Sequence, residues 1–460
     1  MYSINFEEPV HVHFIGIGGI SMSGLAEILL TEGFAISGSD YHESDLTRHL
    51  SRLGAKIYYG QRAENLQEEI PAFVVYTAAV KEDNPEYREA VRQGLPLLTR
   101  AELLGQIMSN YPVSAAISGT HGKTTCTSML SEILLDCGSN PTISVGGILK
   151  HTGSNIHIGD SPYFVAEACE YTNSFLSLHP SIGVILNISA DHLDFFKDIH
   201  DIRHSFREFA RRIPDSGTLI LNGIISDLPY ITDGLKCHIV TFGLNSDFDY
   251  SATDITCDSY GCPGFTLCIG GKPSSHVTLK LPGEHNIYNA LAAAAAAHTM
   301  GTPVQAICYG LSAYEGTERR FQKKGTVNGC TVIDDYAHHP DEIRATLTAA
   351  KSYPHNRIWC IFQPHTYTRT KSFLKEFAQA LCLADEIVLA EIYPARETDT
   401  LGISSSNLQE ELSLLGKKAV CFSTFGEIEE YILQNCINGD LLITMGAGDI
   451  VNVGEALIRH

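Results

Sequence analysis

Ser118-Gly119-Thr120-His121-Gly122-Lys123-Thr124-Thr125 lies between the apolar residues 113–117 and a run in which Met129, Leu130, Ile133 and Leu134 recur at helical spacing. The order reads as strand, glycine-rich loop and amphipathic helix. Such a loop gathers backbone N–H groups at a helix N-terminus, adds the Lys123 ammonium and offers the Thr124 hydroxyl to a divalent cation. It therefore suits a nucleoside triphosphate with magnesium. The spacing is unusual, because the glycine that commonly stands six residues before the lysine would fall at Ile117, and Gly119 is the nearest substitute.

Outward from this loop the chain separates into three sections, 1–109, 110–318 and 319–460. The first opens with alternating residues 10–15, then Gly16-Ile17-Gly18-Gly19-Ile20-Ser21 and a helical run over 22–30. This is a βα nucleotide-binding opening, although Ser21 takes the place of the final glycine or alanine of a dinucleotide fingerprint and weakens a nicotinamide reading. Asp40, closing a second strand, is placed to take a ribose hydroxyl of a UDP- or ADP-linked ligand. The central section adds strands over 163–166 and 182–186. The last alternates strands over 331–333, 358–362, 386–389 and 441–444 with helical stretches, a second Rossmann-like pattern. The fold class expected is α/β, with Rossmann-like sections flanking a central P-loop ATPase-type section.

A length of 460 residues suits about three cores. With 53 acidic against 32 basic residues, the net charge of -21 opposes nucleic acid and anionic lipid as partners, so anionic ligands must be held by local basic groups. Thirteen cysteines without a CxxC pair indicate a reducing compartment rather than a disulfide framework. Cys237, Cys257, Cys262 and Cys268 are the densest group, but their spacing matches no zinc knuckle. Residues 1–9 carry Glu7 and Glu8 and lack the basic and apolar runs of an export signal. The alanine-rich residues 289–297 are too few to cross a bilayer and read as a packed helix. A cytoplasmic protein without membrane insertion is expected; the oligomeric state is not legible.

Polar residues follow several strands. Glu170 and His192 fall where ligands bind in open α/β sheets, and a carboxylate and an imidazole there suit metal ions on phosphates. Asp334-Asp335-Tyr336-Ala337-His338-His339-Pro340 and Phe362-Gln363-Pro364-His365-Thr366-Tyr367-Thr368-Arg369 follow two further strands. Asp335 suits a ribose, and His338 and Arg369 suit a carboxylate beside a phosphate. Arg320, at the start of the last section, can bring a guanidinium to a γ-phosphate.

Four patterns in this order (GIGG, GTHGKTT, GEHNIYNALAA over 283–293 and DDYAHHP) resemble the ATP-dependent Mur ligases, over a span from about residue 10 to Asp449. DDYAHHP and FQPHTYTRT are most similar to the members that add L-alanine to UDP-N-acetylmuramate, the first step of peptidoglycan stem-peptide synthesis. The resemblance implies that the first section binds the UDP sugar through Gly16, Gly18, Gly19, Asp40 and Thr77. It implies ATP contacts at Gly119, Thr120, His121, Gly122, Lys123, Thr124, Thr125, Asn286, Asn289, Arg320 and Asp335. Thr124 and Glu170 would hold one Mg2+ and His192 a second, His285 would lie near the metals and phosphates, and His338 and Arg369 would serve L-alanine. Lys123, Arg320 and His338 are the catalytic candidates. The chain departs from the family at Thr366, where many relatives carry arginine, at Ser21 for a glycine, and at Gln61 for a frequent histidine. A ligase attaching a preformed peptide to the same UDP sugar, a folylpolyglutamate-type ligase and a non-catalytic ATP-binding module are the alternatives.

Overall fold

The computed structural model describes residues 3–77, 79–395 and 397–460 and builds them around three sheets. In the first, β1 (His11–Ile15), β2 (Ala35–Asp40), β3 (Lys56–Tyr59), β4 (Phe73–Tyr76) and β5 (Leu97–Thr99) are all parallel, in the order β3-β2-β1-β4-β5. Winding reverses between β1 and β4, which opens a crevice at their carboxyl ends.

The second sheet has ten strands: β6 (Val113–Ser118), β7 (Thr142–Leu149), β8 (Ser154–His157), β9 (Tyr163–Glu167), β10 (Ile182–Ile185), β11 (Thr218–Asn222), β12 (His238–Phe242), β13 (Tyr250–Cys257), β14 (Pro263–Ile269) and β15 (Lys272–Thr278). Their order is β15-β14-β13-β12-β11-β10-β6-β9-β7-β8, parallel from β13 through β7 and antiparallel at both margins. In the third sheet β16 (Gln322–Val327), β17 (Cys330–Asp335), β18 (Ile358–Phe362), β19 (Glu386–Leu389), β20 (Ala419–Cys421) and β21 (Leu441–Met445) lie in the order β16-β17-β21-β18-β19-β20, with only β16 antiparallel.

One expectation is corrected. The Lys123–Asp136 helix is not amphipathic: it packs between the sheet and the His285–Thr299 and Val304–Ala313 helices, so its threonines and serines are buried along with its leucines. The alanines from 290 to 297 are wholly buried, and their small side chains let the two helices approach closely. Among the described residues no helix is long and apolar enough to cross a membrane.

The cores divide unequally. One apolar cluster runs without a break from the first sheet into the second, including Phe14, Leu25 and Leu103 on one side and Phe164, Phe206 and Phe209 on the other. At this junction backbones touch: a Cβ on Gly105 would stand 1.9 Å from the Ser177 carbonyl oxygen. The third sheet has its own clusters, made entirely of residues beyond 320.

Candidate functional site

β6 runs directly into the glycine-rich loop, and Lys123 opens the helix behind it. Gly119 and Gly122 hold φ of +141° and +84°, and a Cβ at Gly122 would stand 2.5 Å from Asn289 Oδ1, so glycine is required there. Asn187, just past β10, pins the loop by accepting from the His121 N–H at 2.8 Å and donating to the His121 carbonyl at 2.9 Å. Thr120 Oγ1 accepts from the Ser189 N–H at 2.9 Å.

The Lys123 ammonium turns back into this cradle and donates to the carbonyls of Gly119 at 2.5 Å and Thr120 at 3.1 Å, and to both Glu170 oxygens at 2.8 and 3.2 Å. Burial opposes its charge, but the surrounding acidic groups, Glu170 foremost with Cys169 and Glu167, together outweigh burial and raise the Lys123 pKa above its ordinary value. His192, stacked on the Tyr171 ring at 4.4 Å, brings Nε2 to 3.7 Å from both Glu170 Oε1 and Asp191 Oδ2. Burial lowers its pKa against the pull of those two carboxylates. Thr124 Oγ1 accepts from Arg320 Nη2 at 3.3 Å, so an arginine from beyond residue 318 reaches the phosphate loop. The sequence candidates Lys123, Thr124, Glu170, His192 and Arg320 thus converge, although they come from three strand ends and a distant turn.

A cavity of about 280 Å³ opens beside the loop. Ile224, Phe242, Leu281 and Tyr288 give its lining apolar surface suited to a flat ring, and Asn286, Arg320 and Asp335 add polar groups. Asn289 Nδ2 donates to Asn286 Oδ1 at 3.1 Å, and Asn286 Nδ2 donates to the Pro282 carbonyl at 2.9 Å. His285 also lines the cavity, and burial pushes its pKa down to about 4. Asp335 accepts the Phe321 and Ala337 N–H groups at 2.8 Å each. Burial, opposed by Arg320, pushes its carboxyl up to about 6. Its neighbour Arg319 faces elsewhere: it holds Asp334 at 3.0 Å and the Gly446 and Gly448 carbonyls, a structural clamp on β17.

A second cavity, of about 420 Å³, includes Tyr171, His192, Tyr336, His338, Arg369 and Glu397 in its lining, so the turn that follows Asp335 contributes to it. His338 Nδ1 is 2.9 Å from the Tyr336 carbonyl, which can only accept, so Nδ1 carries the proton and Nε2 a lone pair. Burial pushes the His338 pKa down to about 4, which leaves the ring neutral near pH 7. Arg369 is less free than the sequence suggests: Nε and Nη2 both donate to Asp191 Oδ1, at 3.2 and 3.1 Å. Burial favours the neutral Asp191, but Arg369 together with His192, His339 and His338 prevails and holds its carboxyl well below the usual range. Thr366 stands at φ +66° and ψ 146°, a strained conformation for a β-branched residue, where its hydroxyl caps the Tyr367–Ser372 helix.

The first-section candidates sit apart from both cavities. Gly16, Gly18, Gly19, Asp40 and Thr77 cluster at the carboxyl ends of β1, β2 and β4. Asp40 Oδ2 accepts the Gly18 N–H at 2.8 Å and Oδ1 the Tyr41 N–H at 2.8 Å, so this side chain shapes its own loop. Thr77 Oγ1 accepts from the Ala79 N–H at 3.0 Å. Sequence reasoning missed Asn187, Asp191 and Glu342 as site residues. Asn187 and Asp191 lie in the segment that carries His192, and Glu342 stands one helical turn after His338, accepting its N–H at 3.0 Å.

Three family models match in order: "Mur ligase family, catalytic domain" over residues 11–112, "Mur ligase middle domain" over 117–297 and "Mur ligase, glutamate ligase domain" over 319–448. A UDP-N-acetylmuramate--L-alanine ligase of Lachnospira eligens is 58% identical over the whole of both chains. The chain belongs to the Mur ligase family. A second relative of this Mur ligase, the UDP-N-acetylmuramate--L-alanine ligase of Agathobacter rectalis, is 57% identical over the full length of each chain. Among solved structures, the UDP-N-acetylmuramate-alanine ligase of Thermotoga maritima is similar with a TM-score of 0.78 and 30% identity over 98% of both chains. A murein peptide ligase of Psychrobacter arcticus is similar with a TM-score of 0.70 and 26% identity over 98% of both.

Proposed function

We propose that this Mur ligase joins L-alanine to the lactyl carboxylate of UDP-N-acetylmuramate, converting ATP to ADP and phosphate. The observation that carries the reading is that one segment lines both cavities, Asp335 and Glu342 facing the cavity beside the phosphate loop and Tyr336 and His338 the histidine-lined one, with Arg320 reaching the loop and Arg369 lining the second cavity. The names of the full-length relatives supply the substrates. In this reading residues 1–109 take the UDP sugar, 110–318 ATP, and 319–460 the amino acid.

A carboxylate is a poor acyl donor. Its oxygen first attacks the γ-phosphorus, ADP leaves, and an acyl phosphate remains; the L-alanine amine then attacks the acyl carbon and phosphate departs. The first step drives two anions together, which gives Lys123 and Arg320 their roles as fixed positive charges. Lys123 exchanges its loop carbonyls and Glu170 for phosphate oxygens. The residues fit magnesium: Thr124 and Glu170 offer the hard oxygen donors it prefers, and His192 a neutral imidazole for a second ion. Bound there, the ions neutralise phosphate charge as Lewis acids. His338, neutral with a free Nε2 lone pair, accepts a hydrogen bond from the amino group and turns its nucleophilic nitrogen to the acyl carbon. Arg369 bonds the L-alanine carboxylate, sharing its guanidinium with Asp191. Burial of the acyl phosphate between the sections keeps water from hydrolysing it.

The test is phosphate release with ATP, magnesium and UDP-N-acetylmuramate, with L-alanine compared against the intact stem tripeptide and the product identified by mass. A product heavier by one alanyl residue is expected. Release with the tripeptide alone would replace the reading with that of a peptide ligase, and no amine-dependent ADP formation would remove ligation altogether.

A further inference from the structure

On the wall of the nucleotide cavity, a group of side chains joins the phosphate loop to the third sheet. Ligand atoms of His121, His339 and Asp341 lie within 4.8 Å of one another. His121 belongs to the loop, while His339 caps the Pro340–Ala350 helix and Asp341 lies in its first turn. We propose that these three residues form a site for a borderline divalent transition metal, Zn2+ foremost, which ties the phosphate loop to the C-terminal section.

Hydrogen bonding sets both imidazoles in the form a metal needs. Glu342, an acceptor only, lies 3.2 Å from His121 Nδ1, which puts the proton there and leaves Nε2 with a lone pair. That Nε2 is buried and has no hydrogen-bond partner. The Ala190 carbonyl, again an acceptor only, lies 3.1 Å from His339 Nε2, so the lone pair of His339 is on Nδ1. It receives only a long bond of 3.3 Å from the Asp341 amide, and Asp341 Oδ2 stands 3.9 Å away. A metal-bound histidine ordinarily donates its far N–H to a carboxylate or a backbone carbonyl; here one ring has the first and the other the second.

Two imidazoles and one carboxylate suit zinc and its neighbours better than magnesium, which prefers oxygen. Tetrahedral coordination with bonds of about 2.0–2.2 Å places ligand atoms roughly 3.5 Å apart, so the group must contract. Asp341, whose side chain is 53% exposed and stands 3.9 Å from His339 Nδ1, has room to close its share of that distance, and the imidazoles close the rest. An ion held here cross-links the loop that grips phosphate to the helix that follows DDYAHHP. The site stands on this geometry and is independent of which amino acid the enzyme ligates.

The test uses the full-length protein with Co2+ or Zn2+ alone and no nucleotide. One Co2+ per chain is expected, with visible d–d absorption, no thiolate charge-transfer band, and displacement by Zn2+. Asp341→Asn and His339→Gln should each weaken Zn2+ binding about tenfold or more. Asp136→Asn, in the separate Glu132, Asp136 and His151 cluster, should leave it unchanged. Asp341→Asn retains the His339 cap, so the test survives if His339→Gln does not fold. Absence of a saturable Co2+ spectrum, a thiolate band from any of the thirteen cysteines, loss of binding in Asp136→Asn, or undiminished binding in Asp341→Asn overturns the assignment.

Discussion

Lys123 and Glu170 each leave the other stranded if removed alone, because both side chains are largely buried, at 16% and 3% exposure. Lys123→Ala is therefore expected to act twice. ADP formation should fall at least about a thousandfold, as fits loss of a charge on the transferring phosphoryl group. Unfolding free energy should fall by about 3–5 kcal/mol, the usual result of breaking a buried pair. Urea denaturation of Lys123→Ala/Glu170→Gln separates the two effects: it should regain most of the stability and none of the turnover, and equal instability of both variants would contradict the pairing argument. His338 gives a pH signature. Its folded pKa of about 4 lies below the ordinary 6.5, so between these values the unfolded chain binds a proton the folded chain refuses. Its contribution thus rises with pH through that window, is complete above about 6.5, and is lost on acidification. His285 acts in the same sense, whereas Asp335, raised to about 6, contributes stability at low pH that is lost as pH rises toward that value. His338→Gln should remove about 1.4 kcal/mol per pH unit from the slope between pH 4 and 6.5; parallel denaturation profiles for variant and parent would refute the assignment. The residues that sequence brought forward were those whose chemistry is scarce, such as a lysine after glycines or a histidine past a strand. Asp191 and Glu342 stayed hidden because a lone carboxylate is ordinary until its partner, Arg369 or His121, arrives from far along the chain.

The short Tyr367–Ser372 helix carries Arg369, and its start is held from outside the element. Glu397 accepts the Tyr367 and Thr368 N–H groups at 2.7 and 3.0 Å and the Thr368 hydroxyl besides. Glu397→Ala should free that start, displace Arg369 and lower kcat/KM for L-alanine about tenfold to a hundredfold, with KM for ATP nearly unchanged. Steady-state kinetics varying each substrate decides it, and an equal rise in both KM values would place the cap elsewhere in the mechanism. Elements differ in how plainly they could be read. The parallel strands β18, fully buried, and β19, buried after Glu386, match residues 358–362 and 386–389 as expected, since burial on both faces writes a continuous apolar run. The β13-β14-β15 extension was missed. Its outer strand Lys-Pro-Ser-Ser-His-Val-Thr is mostly exposed, and exposure leaves little hydrophobic pattern to read. The Lys123–Asp136 helix erred in the other direction: its spaced apolar residues read as one face of an amphipathic helix, but the His285–Thr299 and Val304–Ala313 helices pack against it and its hydroxyl residues are buried as well.

At the scale of the whole molecule, the first two sheets share hydrocarbon and the third does not. The seam between the third sheet and the rest is largely one of charges and hydrogen bonds: Arg320 to Thr124, His121 to Glu342, Arg369 to Asp191 and His339 to Ala190, with an aromatic contact of Tyr260 and Tyr353 at 5.3 Å. A fragment of residues 319–460 should therefore fold alone and unfold cooperatively, as circular dichroism would register. A fragment of residues 3–112, stripped of its share of the common core, should aggregate; a soluble, cooperative 3–112 would show that the continuous cluster is dispensable. The composition of the seam has a thermal consequence. Heat-capacity changes follow apolar surface, and parting this seam uncovers little of it. The balance between joined and parted forms should then trace a nearly straight van't Hoff line over a temperature range in which the unfolding equilibrium of the same chain is strongly curved.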